Sequence, residues 1–220
     1  MSWCSPIALA FCLFWIALTH AAQAQEGGEA ALYAPAPPVG SAFVRVAKPG
    51  VDRIALQARV GKTFVFSLSP GAASAYFATA AGPVTVEING HAWPPSTVAP
   101  GRFYTVVAQT NGLRWIEDPA PVSRAKAGIV FYNFTDDQTL DLVTVDGTVH
   151  LLDDVAPNGV ASRAVNAVTA TLAVEGAEGS LSTLPALDLH RGATYSIFAQ
   201  TGPDGRLALT WLENATRVVP

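Results

Sequence analysis

The chain has 220 residues and a formal net charge of −4, its 13 Lys and Arg scattered among 17 Asp and Glu. Nucleic acid, whose phosphates require clustered cations, is thereby excluded as a partner, and tight electrostatic capture of an acidic polysaccharide is disfavoured on the same ground. Half of the residues are hydrophobic and 14% are charged, which is the material of packed cores and not of a disordered tail.

Residues 1–24 read as an export signal. Twelve apolar residues, Ile7 to Leu18, lead into Ala22-Gln23-Ala24, where cleavage exposes Gln25. The apolar run is too short to span a bilayer, although the residues before it, Met1 to Pro6, contain no Lys or Arg. Cys4 and Cys12 both fall in the segment to be removed, so a mature chain has no disulfide, and bulky Phe11 disfavours lipid attachment at Cys12. The expected destination is the periplasm.

Residues 25–40 form a proline-rich segment that is a poor central strand. Leu32, Tyr33 and Pro35 have the composition of a docking peptide. They either engage a partner or the chain's own first domain, or Tyr33 merely covers the open end of that domain.

From residue 41 the apolar residues alternate with period two, the pattern of strands buried on one face. Ile54, Leu56, Ala58 and Val60 form one such run, Phe64, Phe66 and Leu68 the next, and Val84, Val86 and Ile88 a third, closed by the hairpin pair Asn89-Gly90. No comparable stretch keeps a helical period. Trp93, in His91-Ala92-Trp93-Pro94-Pro95, is a candidate for polymer or partner contact because it stands outside the strands.

The two halves are duplicated. Gly101, Tyr104, Ala108, Gln109 and Thr110 recur at an offset of 91 as Gly192, Tyr195, Ala199, Gln200 and Thr201, and Leu113 to Glu117 is answered by Leu209 to Glu213. At the front, Phe43-Val44-Arg45-Val46 resembles Ile129-Val130-Phe131-Tyr132, and Val84-Thr85-Val86 resembles Val168-Thr169-Ala170. Trp115 and Trp211, equivalent by the repeat, are expected in the cores. The fold class is all-β: two tandem antiparallel immunoglobulin-like β-sandwich domains, 41–118 and 128–220, joined by a linker at 119–127. Pro119 and Pro121 stiffen that linker, so the expected arrangement is two beads on a short string with a limited range of orientations.

Ala30-Ala31-Leu32-Tyr33-Ala34-Pro35, followed by Gly40-Ser41-Ala42-Phe43-Val44-Arg45-Val46, resembles the mature start of the periplasmic alginate O-acetylation family AlgF, and Tyr104 to Gln109 resembles it again. The resemblance implies a role in acetylating alginate or a similar exopolysaccharide. It implies as partners the periplasmic SGNH-type acetylation proteins and the membrane acyltransferase complex, with this chain as an adaptor among them. The alternative is a carbohydrate-binding module that presents polymer to those enzymes.

Catalytic contexts are missing from the sequence. There is no Gly-x-Ser-x-Gly elbow, and Asp188-Leu189-His190 is one residue short of the Asp-x-x-His of SGNH enzymes and lacks a Gly-Asp-Ser block. His91 and His150 lie in different halves without metal-ligand spacing, while the pairs Asp136-Asp137 and Asp153-Asp154 point to opposite faces of an extended chain. The expectation is therefore a protein without catalytic, cofactor or metal residues.

Overall fold

Alternating apolar residues build strands, and in the computed structural model they do so throughout. The structure describes residues 36–50, 55–61, 64–109, 112–120, 124–202 and 204–218. The signal segment and Leu32, Tyr33 and Pro35 lie outside the described residues. Among those described there is no helix long and apolar enough to cross a membrane.

The first half contains β1 (Ser41–Ala47), β2 (Leu56–Val60), β3 (Phe64–Leu68), β4 (Tyr76–Ala80), β5 (Gly82–Val84), β6 (Val86–Ile88), β7 (His91–Ala92), β8 (Ser96–Val98), β9 (Phe103–Gln109) and β10 (Gly112–Glu117). The second half repeats them in order as β11 (Ala127–Asn133), β12 (Leu140–Thr144), β13 (His150–Val155), β14 (Val160–Val165), β15 (Thr169–Ala170), β16 (Leu172–Gly176), β17 (Gly179–Thr183), β18 (Leu187–Asp188), β19 (Thr194–Thr201) and β20 (Leu207–Glu213). A last strand, β21 (Thr216–Arg217), follows.

Sheet orders match between the halves. The sheet β10-β9-β1-β4 corresponds to β20-β19-β11-β14, β3-β2-β6-β7 corresponds to β13-β12-β16-β17, and the small pair β5-β8 corresponds to β15-β18. The expected tandem all-β sandwiches are present, with one addition to the antiparallel plan: β1 runs parallel to β9, and β11 parallel to β19.

Each half encloses its own core. Ala42, Val44, Val46, Val60, Val86 and Val106 pack inside the first, and Ala127, Ile129, Phe131, Leu142, Leu172 and Ile197 inside the second. This pairing corrects the front alignment read from sequence, because Ile129 answers Val44 and not Phe43. A slip of one residue exchanges the faces of a strand. Likewise Val86 answers Leu172, since Trp93 and Leu184 donate their N–H groups to those two carbonyls at 3.0 and 2.8 Å, so the Val84–Val168 match is two residues out of step.

The residues between the core positions of β1, β9, β11 and β19 are buried too. Ala47, Val107 and Ile116 of the first half pack on Val130, Tyr132 and Phe198 of the second, so the two larger sheets lie back to back. β11 is buried at every position, and its sequence Ala-Gly-Ile-Val-Phe-Tyr is accordingly apolar on both faces. Strand β21 then leaves the second half and pairs in parallel with β4 of the first, Thr216 opposite Tyr76. Residues 35–220 form a single compact unit, which replaces the beads-on-a-string arrangement.

Candidate functional site

Where the two sheets meet, a strand position that period two assigns to solvent carries Arg45. Its neighbours on that face, Phe43 and Ala47, are apolar; Phe43 stacks on Phe103 of its own sheet and stays half-buried, while the facing sheet covers Ala47 and Arg45, leaving Arg45 0% exposed. Burying a guanidinium is tolerated only when its donors are met. Nε donates to Thr105 Oγ1 at 2.8 Å, one terminal nitrogen donates to Asn214 Oδ1 at 2.9 Å, and the other donates to the Tyr132 hydroxyl at 2.7 Å and Ser196 Oγ at 2.9 Å. Tyr76 also lies beneath the guanidinium, its ring centroid 4.4 Å from Cζ.

The balancing charge is Asp118, which follows β10. Its Oδ2 accepts the hydroxyls of Tyr76 at 2.8 Å and Thr105 at 2.6 Å, and its Oδ1 accepts that of Tyr132 at 2.6 Å. Thr105 and Tyr132 each accept from Arg45 and donate to Asp118. Two hydroxyl relays therefore connect the charges and fix the direction of every bond. Tyr132, Ser196 and Asn214 belong to the second half, so the network ties the halves together.

Proton affinities follow from this geometry. Burial pushes the Tyr132 hydroxyl up to about 12, against the pull of Arg45 and with support from Asp118, and burial drives Tyr76 up further. Desolvation opposes the charge on Arg45, but Tyr132, Tyr76 and Asp118 outweigh it and the guanidinium is held above its ordinary value. At neutral pH the phenols are donors and the guanidinium is a fixed cation. Neither phenol nor the guanidinium is poised to exchange a proton there.

Beside the network opens a cleft of about 630 Å³ lined by Tyr76, Phe103, Asp118, His190, Arg191, Glu213 and Thr216 among others. Groups of both charge signs line it. His190 Nε2 stands 3.4 Å from Asp188 Oδ2, and its Nδ1 stands 3.2 Å from the Tyr195 hydroxyl. The constellation resembles an acid–base group, but Tyr195 already accepts the His190 N–H and donates to the Asp188 carbonyl, both at 3.0 Å. Burial pushes its phenol up, which disfavours a nucleophilic phenolate.

The duplication explains this arrangement. Tyr104, the counterpart of Tyr195, accepts the N–H of Ala99 at 3.1 Å, and Ala99 occupies the place of His190. Both are tyrosine corners, in which the hydroxyl anchors the loop entering the strand. Gly101 and Gly192 turn those loops at φ 71° and 79° and donate to Ser41 and Lys126 carbonyls, each at 2.8 Å. Repeat positions noticed in the sequence are thus loop anchors.

Trp93 is half-buried. Its ring meets His91 edge-on at a centroid distance of 4.9 Å and lies over Gly112. Trp115 packs against the first core as expected, whereas Trp211 is 40% exposed; β10 and β20 are both edge strands, but Trp93 covers the edge of β10 at Gly112 while its counterpart Leu184 is buried in the second core. Asp141, His150 and Asp153 bring ligand-type atoms within 4.8 Å of one another. Sequence spacing missed this trio because Asp141 comes from the neighbouring strand. Asp153 bonds His150 at 2.8 Å and Asp141 accepts the Asp154 N–H at 2.7 Å, which ties the irregular β12–β13 pairing. Neither Arg45 nor Asp118 was marked as special by sequence; the signal was the apolar company of Arg45 on its own face.

A family model described as "Alginate O-acetyl transferase AlgF" matches residues 15–196. The chain belongs to the AlgF family. It is 29% identical over 202 residues to the alginate biosynthesis protein AlgF of Pseudomonas aeruginosa, covering 92% of each chain. To the protein of that name in Pseudomonas putida it is 31% identical over 191 residues, covering 86% of each. Among solved structures it is similar to the C-terminal domain of AlgF from P. aeruginosa, with 29% identity, a TM-score of 0.37 and coverage of 41% of this chain and 99% of that one. The N-terminal domain of that protein also matches, with 29% identity, a TM-score of 0.32 and coverage of 38% and 100%.

Proposed function

We propose that this chain is a non-catalytic periplasmic adaptor for the O-acetylation of alginate or a similar exopolysaccharide, bridging SGNH-type acetylation proteins and the membrane acyltransferase complex. Family membership supplies the pathway, since the AlgF relatives carry the name alginate biosynthesis protein. The family description includes the words O-acetyl transferase, and against a transfer role stands the chemistry of the polar groups.

The observation that carries the reading is the tyrosine corner at Tyr195. It occupies the phenol beside the best candidate base, His190, and it has a counterpart at Tyr104, where Ala99 replaces the histidine. The backbone N–H to tyrosine hydroxyl bond is present in both copies, with and without the histidine, and so serves the loop. Acyl transfer needs a free nucleophile beside a base and donors for the oxyanion, and the Arg45–Asp118 network is closed on itself. A two-domain body with a fixed internal interface suits a protein that must hold two partners in one geometry.

The test uses purified mature protein immobilised on a sensor and titrated with SGNH-type acetylation proteins and, separately, with a chromogenic acetyl ester. Saturable binding to at least one protein and ester turnover at the buffer rate are expected. A folded sample that binds none of the proteins, or that turns the ester over, contradicts the proposal. Trp93 gives little support to the polymer-presenting alternative, since its ring is half-buried over Gly112.

A further inference from the structure

The duplicated halves differ at one edge. β10 and β7 border the two sheets of the first half, and β20 and β17 border those of the second. In the first half Trp93, just after β7, reaches across to β10, where a Cβ on Gly112 would lie 3.8 Å from its ring. Leu184 holds the equivalent place in the second half and is buried within the core. There, on strands that pack side by side, Leu181 of β17 and Trp211 of β20 are each 40% exposed.

The backbone of that edge is open as well. Asn214 N–H bonds Thr194 O at 2.7 Å, and the register places Trp211 opposite Ile197 and Glu213 opposite Tyr195. The ladder alternates between bonded and non-bonded pairs, so the peptide groups of Leu209, Trp211 and Glu213 face away from β19. Among the described residues no other strand pairs with β20. Glu213 shares the face of Trp211, and Glu175, Glu178 and Asp204 stand on the adjoining hairpins with Arg206 as the opposing charge.

We infer that the β17–β20 edge of the second half captures an acetylation partner through an extended segment that adds as a strand to β20. That segment sets apolar side chains on Trp211 and Leu181 and carries Lys or Arg toward the carboxylates. An unpaired edge is a template for strand addition, a half-exposed tryptophan is the usual anchor of such a contact, and the acidic surroundings select the sign of the occupant's charge. The inference rests on the adaptor reading and names its surface.

The experiment takes the mature chain and an SGNH-type acetylation protein, with Trp211→Glu and Leu181→Glu as variants and Val65→Glu, on an exposed position of the first half, as control. Each edge variant is expected to weaken binding by about tenfold or more, with the control unchanged. Hydrogen exchange at Trp211 and Glu213 in the unaltered chain is expected to slow on binding, a readout independent of whether a variant folds. Equal affinity of both edge variants, or unchanged exchange, overturns the inference while leaving the adaptor role standing. A self-associated dimer that Trp211→Glu disperses overturns it in favour of a second copy, and failure of the unaltered chain to bind refutes the adaptor role together with its surface.

Discussion

Replacing Arg45 by Met and Asp118 by Leu, singly and together, isolates the interaction that holds the two sandwiches in one body. Arg45→Met leaves the buried Asp118 carboxylate without its balancing cation and strips donors from Thr105, Tyr132, Ser196 and Asn214. Asp118→Leu leaves a buried guanidinium and removes the acceptor of three hydroxyls. Breaking one side of a buried charge pair costs about 3–5 kcal/mol, while replacing both sides by apolar groups costs far less. The double variant is therefore expected to lose about 2–3 kcal/mol less than the sum of the single losses. Urea unfolding followed by far-ultraviolet circular dichroism gives the three values. Single losses that add within about 0.5 kcal/mol would show that the charges do not communicate through the hydroxyl relays and would refute the reasoning.

The same network predicts alkaline sensitivity. Folding raises the Tyr132 pKa from its ordinary value of 10.0 to about 12, so its contribution is complete below pH 10 and is lost as pH rises through 12. The slope is about 1.4 kcal/mol per pH unit for each such tyrosine, and a pH series of urea midpoints that stays flat between 10 and 12 contradicts it. Tyr104→Phe and Tyr195→Phe each remove a corner hydroxyl and should cost about 1–2 kcal/mol, measured by the same unfolding; a cost at Tyr195 alone would argue that the two corners are not equivalent. Ending the chain at Asn214 removes β21 and the acceptor of the Tyr76 N–H at 2.8 Å, so the melting temperature should fall and exchange along β4 should speed up. Unchanged exchange there would contradict a clasping role for the terminal strand.

Period-two alternation and the internal repeat made the all-β, two-sandwich class legible, because both report a single buried face, and each half does bury one. What they could not report is a second buried face. Arg45 alternates with Val44 and Val46 as a solvent-facing residue would, and only the neighbouring Phe43 and Ala47, together with the unbroken apolar run of β11, betray that its face is covered. Asp118 looked like the last residue before a linker. Its three hydroxyl partners come from residues 42, 13 and 14 positions away, separations that no local pattern encodes.

Tyr104 and Tyr195 were visible as a repeated pair, and their corner geometry gives that repetition its physical reason. Trp115 and Trp211 were visible as a pair too, but equal positions in a repeat do not imply equal burial once Trp93 covers one edge and Leu184 retreats into the other core. The Asp188–His190 pairing reads as a weak catalytic signal from its spacing, one residue short of Asp-x-x-His. The hydrogen bonds that occupy it required the structure.

The claim that this chain acts without chemistry of its own is tested most directly by the acetyl content of polymer secreted from cells that lack it, complemented with the unaltered chain or with His190→Ala. His190→Ala is expected to restore acetylation to the level of the unaltered chain. A polymer left unacetylated by His190→Ala, while the variant still folds and binds its acetylation partners, would contradict it and return His190 to the role of a base.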